Sequence, residues 1–234
     1  MSTFLKERSH QEELMDDLSS HGPVINQTLH ELEVINRLLG GNQVTINGIK
    51  KLLGDAHEIS VVDIGCGGGD MLKLMADWFR KKNIRASITG IDANPNIIEY
   101  AQRNTSEYPE INYLSMDVLS DDFRSLSCDI FTSTLFAHHL TNEELLLLLQ
   151  RMKFQARIGI IINDIHRHWL AYHSIKLLTG IFSKSPMVKN DAAVSVERSF
   201  LKQELANLLF QANIRDFAIR WFWAFRWQVV AKVS

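Results

Sequence analysis

The chain has 234 residues, 46% of them hydrophobic and 22% charged, with a formal net charge of −2. That length holds one large domain with a sizeable core, and the charge balance speaks against a strongly basic nucleic-acid platform. Two cysteines, Cys66 and Cys128, give neither a metal-ligand spacing nor a disulfide framework, so reduced thiols and a cytoplasmic location are expected. No apolar run approaches the roughly 20 residues that cross a bilayer, and the charged stretch 1–17 lacks the apolar region of a secretory signal.

Residues 1–57 read as a helical, amphipathic segment capping the rest. Ile25, Leu29, Leu32, Ile35 and Leu38 recur at helical spacing until Gly40-Gly41, and a second helix covers 45–53 up to Gly54. From residue 58 the pattern alternates. Strands are expected at 58–64, 86–92, 111–115, 128–134 and 157–163, with helices at 70–82, 95–104, 141–154 and a short one near 121–126. Thr141 and Glu144 form a capping box for the helix at 141–154. Five apolar strands alternating with helices predict an α/β, Rossmann-like, mostly parallel sheet covered on both faces. The rhythm then breaks. An apolar helix at 168–182 opens an insertion of about 165–200, a loop with Pro186 and Asn190-Asp191 follows, and a helix at 202–212 leads to strands at 216–223 and 225–232. The near absence of a connection makes these last two antiparallel, which completes a seven-stranded sheet within a domain at 58–234.

The most informative stretch is Val61-Val62-Asp63-Ile64-Gly65-Cys66-Gly67-Gly68-Gly69-Asp70. Strand, glycine turn and helix bring bare backbone against a ligand. A dinucleotide fingerprint needs a third glycine where Asp70 stands. An acid at a helix N-terminus opposes a pyrophosphate but accepts from an ammonium group. Asp92, in Gly90-Ile91-Asp92-Ala93-Asn94-Pro95, ends the second strand a little over 20 residues on, where a carboxylate takes the hydroxyls of a ribose; its structural alternative is a cap for the helix at Pro95. Met116-Asp117-Val118 follows the third strand, and the fourth runs out through Thr134-Leu135-Phe136-Ala137-His138-His139.

These four elements, in this order and each at a strand end, resemble the class I S-adenosylmethionine-dependent methyltransferases, and most closely their small-molecule, quinone-biosynthesis-like members. The resemblance covers 58–164 and extends to the C-terminus through the antiparallel finish. It implies S-adenosyl-L-methionine as cofactor. Asp63, Gly65, Cys66, Gly67, Gly69 and Asp70 would form the glycine motif, and Asp92, Ala93 and Asn94 the ribose side. Met116, Asp117 and Val118 would hold the adenine, with Thr134 and Leu135 beside the methionine end. The N-terminal helices lie outside the core pattern; in relatives such a segment closes over the cofactor, which makes Arg37 a candidate for its carboxylate and a solvated helix face the alternative.

Methyl transfer needs alignment and, for a hydroxyl, amine or activated carbon, removal of a proton. Histidine is the natural base, and His138, His139, His166 and His168 all follow strands four and five. Adjacent His138 and His139 are expected to face different directions, so that at most one meets the acceptor; His139 reads equally as a cap or packing residue, and His166 and His168 as polar loop residues. Asp164 could orient an acceptor or a histidine. Asn163-Asp164 is too small a ligand set for an oxygen-only cation site, so no metal is expected. The helix at 168–182 reads either as a lid over an aromatic or apolar acceptor or as a helix packed on the sheet. A membrane-surface role lacks a coherent basic face. Arg198 is expected to pair with Glu197 or to meet an acidic group of the acceptor. The tetrad of base-modifying enzymes is absent after strand four, so a nucleic-acid substrate is not expected. Trp221, Phe222, Trp223, Phe225 and Trp227 read as core or dimer surface, leaving a homodimer open. The expected function is methylation of a small acceptor at oxygen or carbon. The alternatives are a non-catalytic cofactor-binding or interaction protein of the same fold and an NAD-dependent oxidoreductase.

Overall fold

The computed structural model describes residues 5–233; positions 1–4 and 234 of the two expected domains lie outside them. The described elements run α1 (Pro23–Leu38), α2 (Asn42–Leu52), β1 (Glu58–Ile64), α3 (Asp70–Lys81), β2 (Arg85–Asp92), α4 (Pro95–Asn104), β3 (Ile111–Ser115), β4 (Cys128–Thr134), α5 (Asn142–Gln155), β5 (Ala156–Ile165), α6 (Trp169–Phe182), α7 (Pro186–Arg198), α8 (Lys202–Gln211), β6 (Asp216–Phe222) and β7 (Arg226–Lys232). The seven strands form one sheet in the order β3-β2-β1-β4-β5-β7-β6. β1 pairs in parallel with both β2 and β4, so the strand order reverses there. β7 inserts antiparallel between β5 and β6. This is the Rossmann-like, doubly wound arrangement that the alternation predicted, with its antiparallel finish.

Both faces are covered because the strands are apolar on both sides. On β5, Ile160 and Ile162 face one core with Phe131, Leu145, Leu149 and Leu205. Ile161 faces the other, with Ile49, Leu72, Met75 and Phe79. Side-chain direction alternates along a strand, so a continuous Ile run serves two layers. α5 buries Leu145, Leu148, Leu149 and Met152, one stripe at helical spacing. Its capping box is formed: Glu144 N–H donates to Thr141 Oγ1 at 3.2 Å and Thr141 N–H to Glu144 Oε2 at 2.8 Å.

Three differences from the sequence reading matter for function. First, α2 lies on the sheet rather than over it. Its Gly48 faces Ile161, and a Cβ there would stand 2.8 Å from Ile161 Cγ2. Second, the expected loop after residue 182 is the helix α7. Pro186 occupies its first turn, where a missing N–H costs nothing, and the Ser185 hydroxyl accepts from Val188 N–H at 3.3 Å. Third, β5 runs two residues further, because β7 offers partners to Asp164 and Ile165. α6 exposes Trp169, Leu177, Ile181 and Phe182 and buries only Ala171 and Thr179. It packs on α7 rather than on the sheet. In the last hairpin Trp227 joins the core, whereas Trp221 and Trp223 are exposed. Among the described residues no helix is long and apolar enough to cross a membrane.

The close seating of α2 is testable. Gly48→Val should overpack the α2–sheet contact and cost about 1–3 kcal/mol, lowering the melting temperature by roughly 2–4 °C per kcal/mol. Gly180→Ala, at a helical position with open space around it, should leave thermal denaturation unchanged or raise the midpoint slightly.

Candidate active site

Ligands of open α/β sheets sit beyond the carboxyl ends of the strands where the order reverses, here the ends of β1 and β4. The turn after β1 is built on Gly65, Gly67 and Gly69, with φ of 67°, 51° and 79°. This left-handed region favours glycine. Beyond the backbone of Gly67 a Cβ would meet nothing closer than Leu29 at 3.9 Å, so the turn presents open backbone. Cys66 N–H donates to Ile91 O at 2.9 Å, tying the turn to β2.

Two carboxylates flank it. Asp92 accepts from Gly67 N–H at 3.3 Å and from Asn94 N–H at 3.0 Å. The cap of α4 is Asn94, whose side chain accepts from Asn96 N–H at 2.9 Å, not Asp92. Asp63 is buried and accepts from Thr132 Oγ1 at 2.5 Å. Burial pushes its carboxyl up to about 7, and the neighbouring Asp70 adds to the rise against the Thr132 bond. Burial also raises Asp92 and Asp70, the latter held by Asn42 Nδ2 at 3.3 Å. Burial pushes the Cys66 thiol well up, so it is no nucleophile.

In front of this turn is a cavity of about 600 Å³, within the range of small-molecule sites. Asp63, Gly65, Cys66, Gly67, Asp70, Asp92, Ala93, Asn94, Thr134, Leu135, His138 and His139, all candidates from the sequence, line it. Its roof is apolar: Leu29, Leu32 and Ile35 of α1, Ile175 and Leu178 of α6, and Val188 of α7. α6 therefore faces the cavity, as the lid reading expects, and is not a helix packed on the sheet.

Other expected residues lie elsewhere. Gly69 faces Tyr113 and Thr105. Asp117 is exposed and accepts from its own turn, Leu119 N–H, at 2.8 Å. Val118 is buried in the core and Met116 packs against it. Arg37 is exposed on α1 and lines no part of the cavity. His166 packs its ring 4.7 Å from that of Trp227, outside the cavity lining. Burial lowers it to about 4, leaving it neutral. The His168 ring caps α6 by accepting from Leu170 N–H at 3.2 Å.

The histidines after β4 correct another expectation. His138 and His139 do not diverge. A 3₁₀ turn at Ala137–His139 replaces extended chain, the two rings lie 4.4 Å apart, and both face the cavity. Asp164, fully buried, meets His138 Nδ1 at 2.7 Å and accepts from His138 N–H at 3.0 Å. Asp16 meets His139 Nδ1 at 2.5 Å. Glu13 stands 3.4 Å from His138 Nε2 and 4.0 Å from His139 Nε2. Burial alone would depress His138, but Asp164 and Glu13 outweigh it and hold the imidazole up at about 9.

Known proteins share both sequence and fold with the chain. Residues 61–157 match the family described as "Methyltransferase domain". A ubiquinone biosynthesis O-methyltransferase described as mitochondrial, from Schizosaccharomyces pombe, is 27% identical over 160 residues, covering 65% of this chain and 54% of that protein. Over this region the chain is similar to methyltransferases. It spans about half the length of that curated relative. The fold matches human N-acetylserotonin methyltransferase, crystallised with S-adenosylmethionine, at a TM-score of 0.64 and 17% identity, over 89% of this chain and 55% of that one. It also matches an S-adenosylmethionine-dependent methyltransferase from Aquifex aeolicus at 0.62 and 16%, over 89% and 98% of the two chains.

Several residues at or beside the cavity have roles that the sequence reading did not give them. Glu13 and Asp16 fall in the charged stretch 1–17, where no local pattern marks them. Arg198 reaches neither Glu197 nor the cavity. It donates to the carbonyl of His138 at 3.1 Å and to that of His139, and pairs with Asp16 at 2.5 Å, clamping the N-terminal segment over the 3₁₀ turn. Arg226, at the start of β7, lines the cavity with Nη1 unpartnered, while Nη2 donates to Asn36 Oδ1 at 3.0 Å. Burial pulls it down to about 10, so it stays charged.

The raised His138 gives a pH test. Its imidazole titrates near 9 folded and at about 6.5 unfolded. The folded chain therefore holds the proton more tightly. The stability from this group is complete below about pH 6.5 and is lost as the pH rises through about 9. Thermal midpoints should decline over that window, and His138→Gln should flatten the decline.

Proposed function

We propose that the protein transfers a methyl group from S-adenosylmethionine to an oxygen or carbon of a small, apolar, aromatic acceptor. The observation that carries the reading is a single cavity joining the Gly65–Gly68 turn and Asp92 to an apolar roof and one polar end, Glu13, His138 and His139.

The residues present fit the cofactor. Gly67 leaves open space where a side chain would intrude. Asp92, oriented by two backbone N–H groups, offers a carboxylate to ribose hydroxyls. Asp70 offers one to an ammonium group. The unpartnered Nη1 of Arg226 supplies the cationic donor for a carboxylate, the role first considered for Arg37. When bound, S-adenosylmethionine supplies a methyl group on a positively charged sulfur. The protein's part is placement and proton removal. The α1, α6 and α7 side chains desolvate a flat apolar acceptor. The histidine end receives its ionisable hydroxyl, where His139, backed by Asp16, takes the proton and His138, held charged by Asp164 and Glu13, stabilises the oxyanion that forms. The ubiquinone-biosynthesis relative, an O-methyltransferase, supports oxygen as the acceptor atom.

Calorimetric titration with S-adenosylhomocysteine should give binding, and NAD should give none. Asp92→Ala should weaken that binding about 10–100-fold, as expected for losing charged hydrogen bonds of ~1.5–3 kcal/mol. Heat from NAD and none from S-adenosylhomocysteine would sink the assignment. Across a panel of phenols, catechols and hydroxylated quinols, transfer of a labelled methyl group should appear. His139→Ala should slow it about 10²–10⁴-fold, the usual contribution of general-base chemistry, with S-adenosylhomocysteine binding retained. Cofactor binding with no transfer to any acceptor would favour the non-catalytic alternative.

A further inference from the structure

The polar end of the cavity has a feature that proton transfer does not require. One ligand atom from each of Glu13, His138 and His139 lies within 4.8 Å of the other two. The Nδ1 of each imidazole is engaged by its own carboxylate, Asp164 at 2.7 Å for His138 and Asp16 at 2.5 Å for His139. With Nδ1 donating, the Nε2 atoms are the ones turned toward Glu13, and an ion bound there would displace the proton that His138 otherwise carries at neutral pH. Metal-binding histidines are held in this way, with a carboxylate on the far nitrogen fixing tautomer and ring.

A second observation points to a ligand. His138 is 2% exposed, and its Nε2 has no hydrogen-bond partner although Glu13 Oε1 is 3.4 Å away. A shared proton would draw those atoms to about 2.7–2.9 Å. Two donors bound to one tetrahedral ion at ~2.0–2.1 Å stand roughly 3.3 Å apart. The Glu13–His138 spacing is close to this value, and the 4.0 Å between Glu13 and His139 would shorten as the ion draws its ligands together. The charges agree: Glu13, Asp16 and Asp164 surround the imidazoles, and Arg198 pairs with only one of them, Asp16.

We propose that Glu13, His138 and His139 form a binding site for a zinc-type divalent cation, with its remaining position open to the acceptor cavity. Two imidazoles and one carboxylate suit such an ion, and three protein ligands with an open place is the pattern of a catalytic rather than a structural site. The proposal rests on the methyltransferase reading only for what fills the open position, the acceptor's hydroxyl. Coordination there lowers the pKa of the hydroxyl. Its proton leaves to water, the ion taking the place of His139 as the group that promotes ionisation, and the oxygen's electron pair forms the bond to the methyl carbon as the carbon–sulfur bond breaks and S-adenosylhomocysteine leaves. The sequence reading expected no metal because it weighed only acids after strands four and five; Glu13 comes from the far N-terminus.

The full chain, stripped with a chelator, should be titrated with Zn²⁺ by calorimetry and with Co²⁺ by visible absorption. The expected result is one tight equivalent and the intense bands of low-coordinate cobalt. Glu13→Gln and His139→Gln should each weaken binding at least about 100-fold, and Asp164→Asn about 10–100-fold through the imidazole it holds. S-adenosylhomocysteine binding on the same samples reports that each variant is folded and tests the cofactor reading separately. Metal uptake without S-adenosylhomocysteine binding would leave this site standing and remove the methyltransferase role. No uptake by a chain that binds S-adenosylhomocysteine, or wild-type affinity in both Glu13→Gln and His139→Gln, would overturn the metal site.

Discussion

A fully buried carboxylate must be met by donors or it will not stay charged, and Asp164 is met by three: the backbone N–H and ring Nδ1 of His138 and the N–H of Ile165. Burial alone would raise its carboxyl, but the His138 charge outweighs this and holds it below the ordinary range. The negative charge of Asp164 in turn helps keep Arg226 ionised in a site that would otherwise favour its neutral form. The end of β5, the 3₁₀ turn after β4 and the start of β7 are thus fixed by one anion. Each of those elements contributes to the cavity wall, so this carboxylate bears directly on the shape of the acceptor end.

The second constraint is the closure of the N-terminal segment over the sheet. Arg8 and Arg198 both donate to carbonyls of the 3₁₀ turn, and Arg198 also binds Asp16. Asp191 of α7 accepts from Leu14 and Met15 N–H at 2.9 and 3.0 Å. These contacts carry Glu13 and Asp16 to the histidines. They tie the roof helices, the N-terminal segment and the histidine turn into one unit. The acceptor end is built by charge, whereas the cofactor end is built by backbone shape. The two differ in what tunes them: glycine geometry allows little variation, and a set of ion pairs can be altered one side chain at a time.

Much of the fold was legible because its signals are local. Alternating apolar runs, the Thr141–Glu144 box and the final hairpin each depend on residues a few positions apart. The strands consequently fall within about two residues of expectation. α7 was missed although Ser185-Pro186 is a cap followed by a first-turn proline, a local signal that was there to be used. Its apolar face is interrupted by Lys189, Asn190 and Asp191, so periodicity alone did not carry it. Asp117 and Arg37 show the opposite error. A residue type at the expected place along the chain does not fix where its side chain turns, and Asp117 turns onto its own loop.

The sequence by itself determined the strands of the sheet and the glycine turn with Asp63, Asp70 and Asp92, because backbone conformation and strand-end position set these; the strand order, and so the switch point, came from the tertiary structure. The tertiary structure alone decided the acceptor end. It joined Glu13 and Asp16 to His138 and His139 across more than a hundred residues, turned the two rings the same way through a 3₁₀ turn, and brought the unpartnered nitrogen of Arg226 into the cavity. Those contacts arise from burying charges that must find partners, and which partner each finds depends on how the chain folds back, not on its neighbours in sequence.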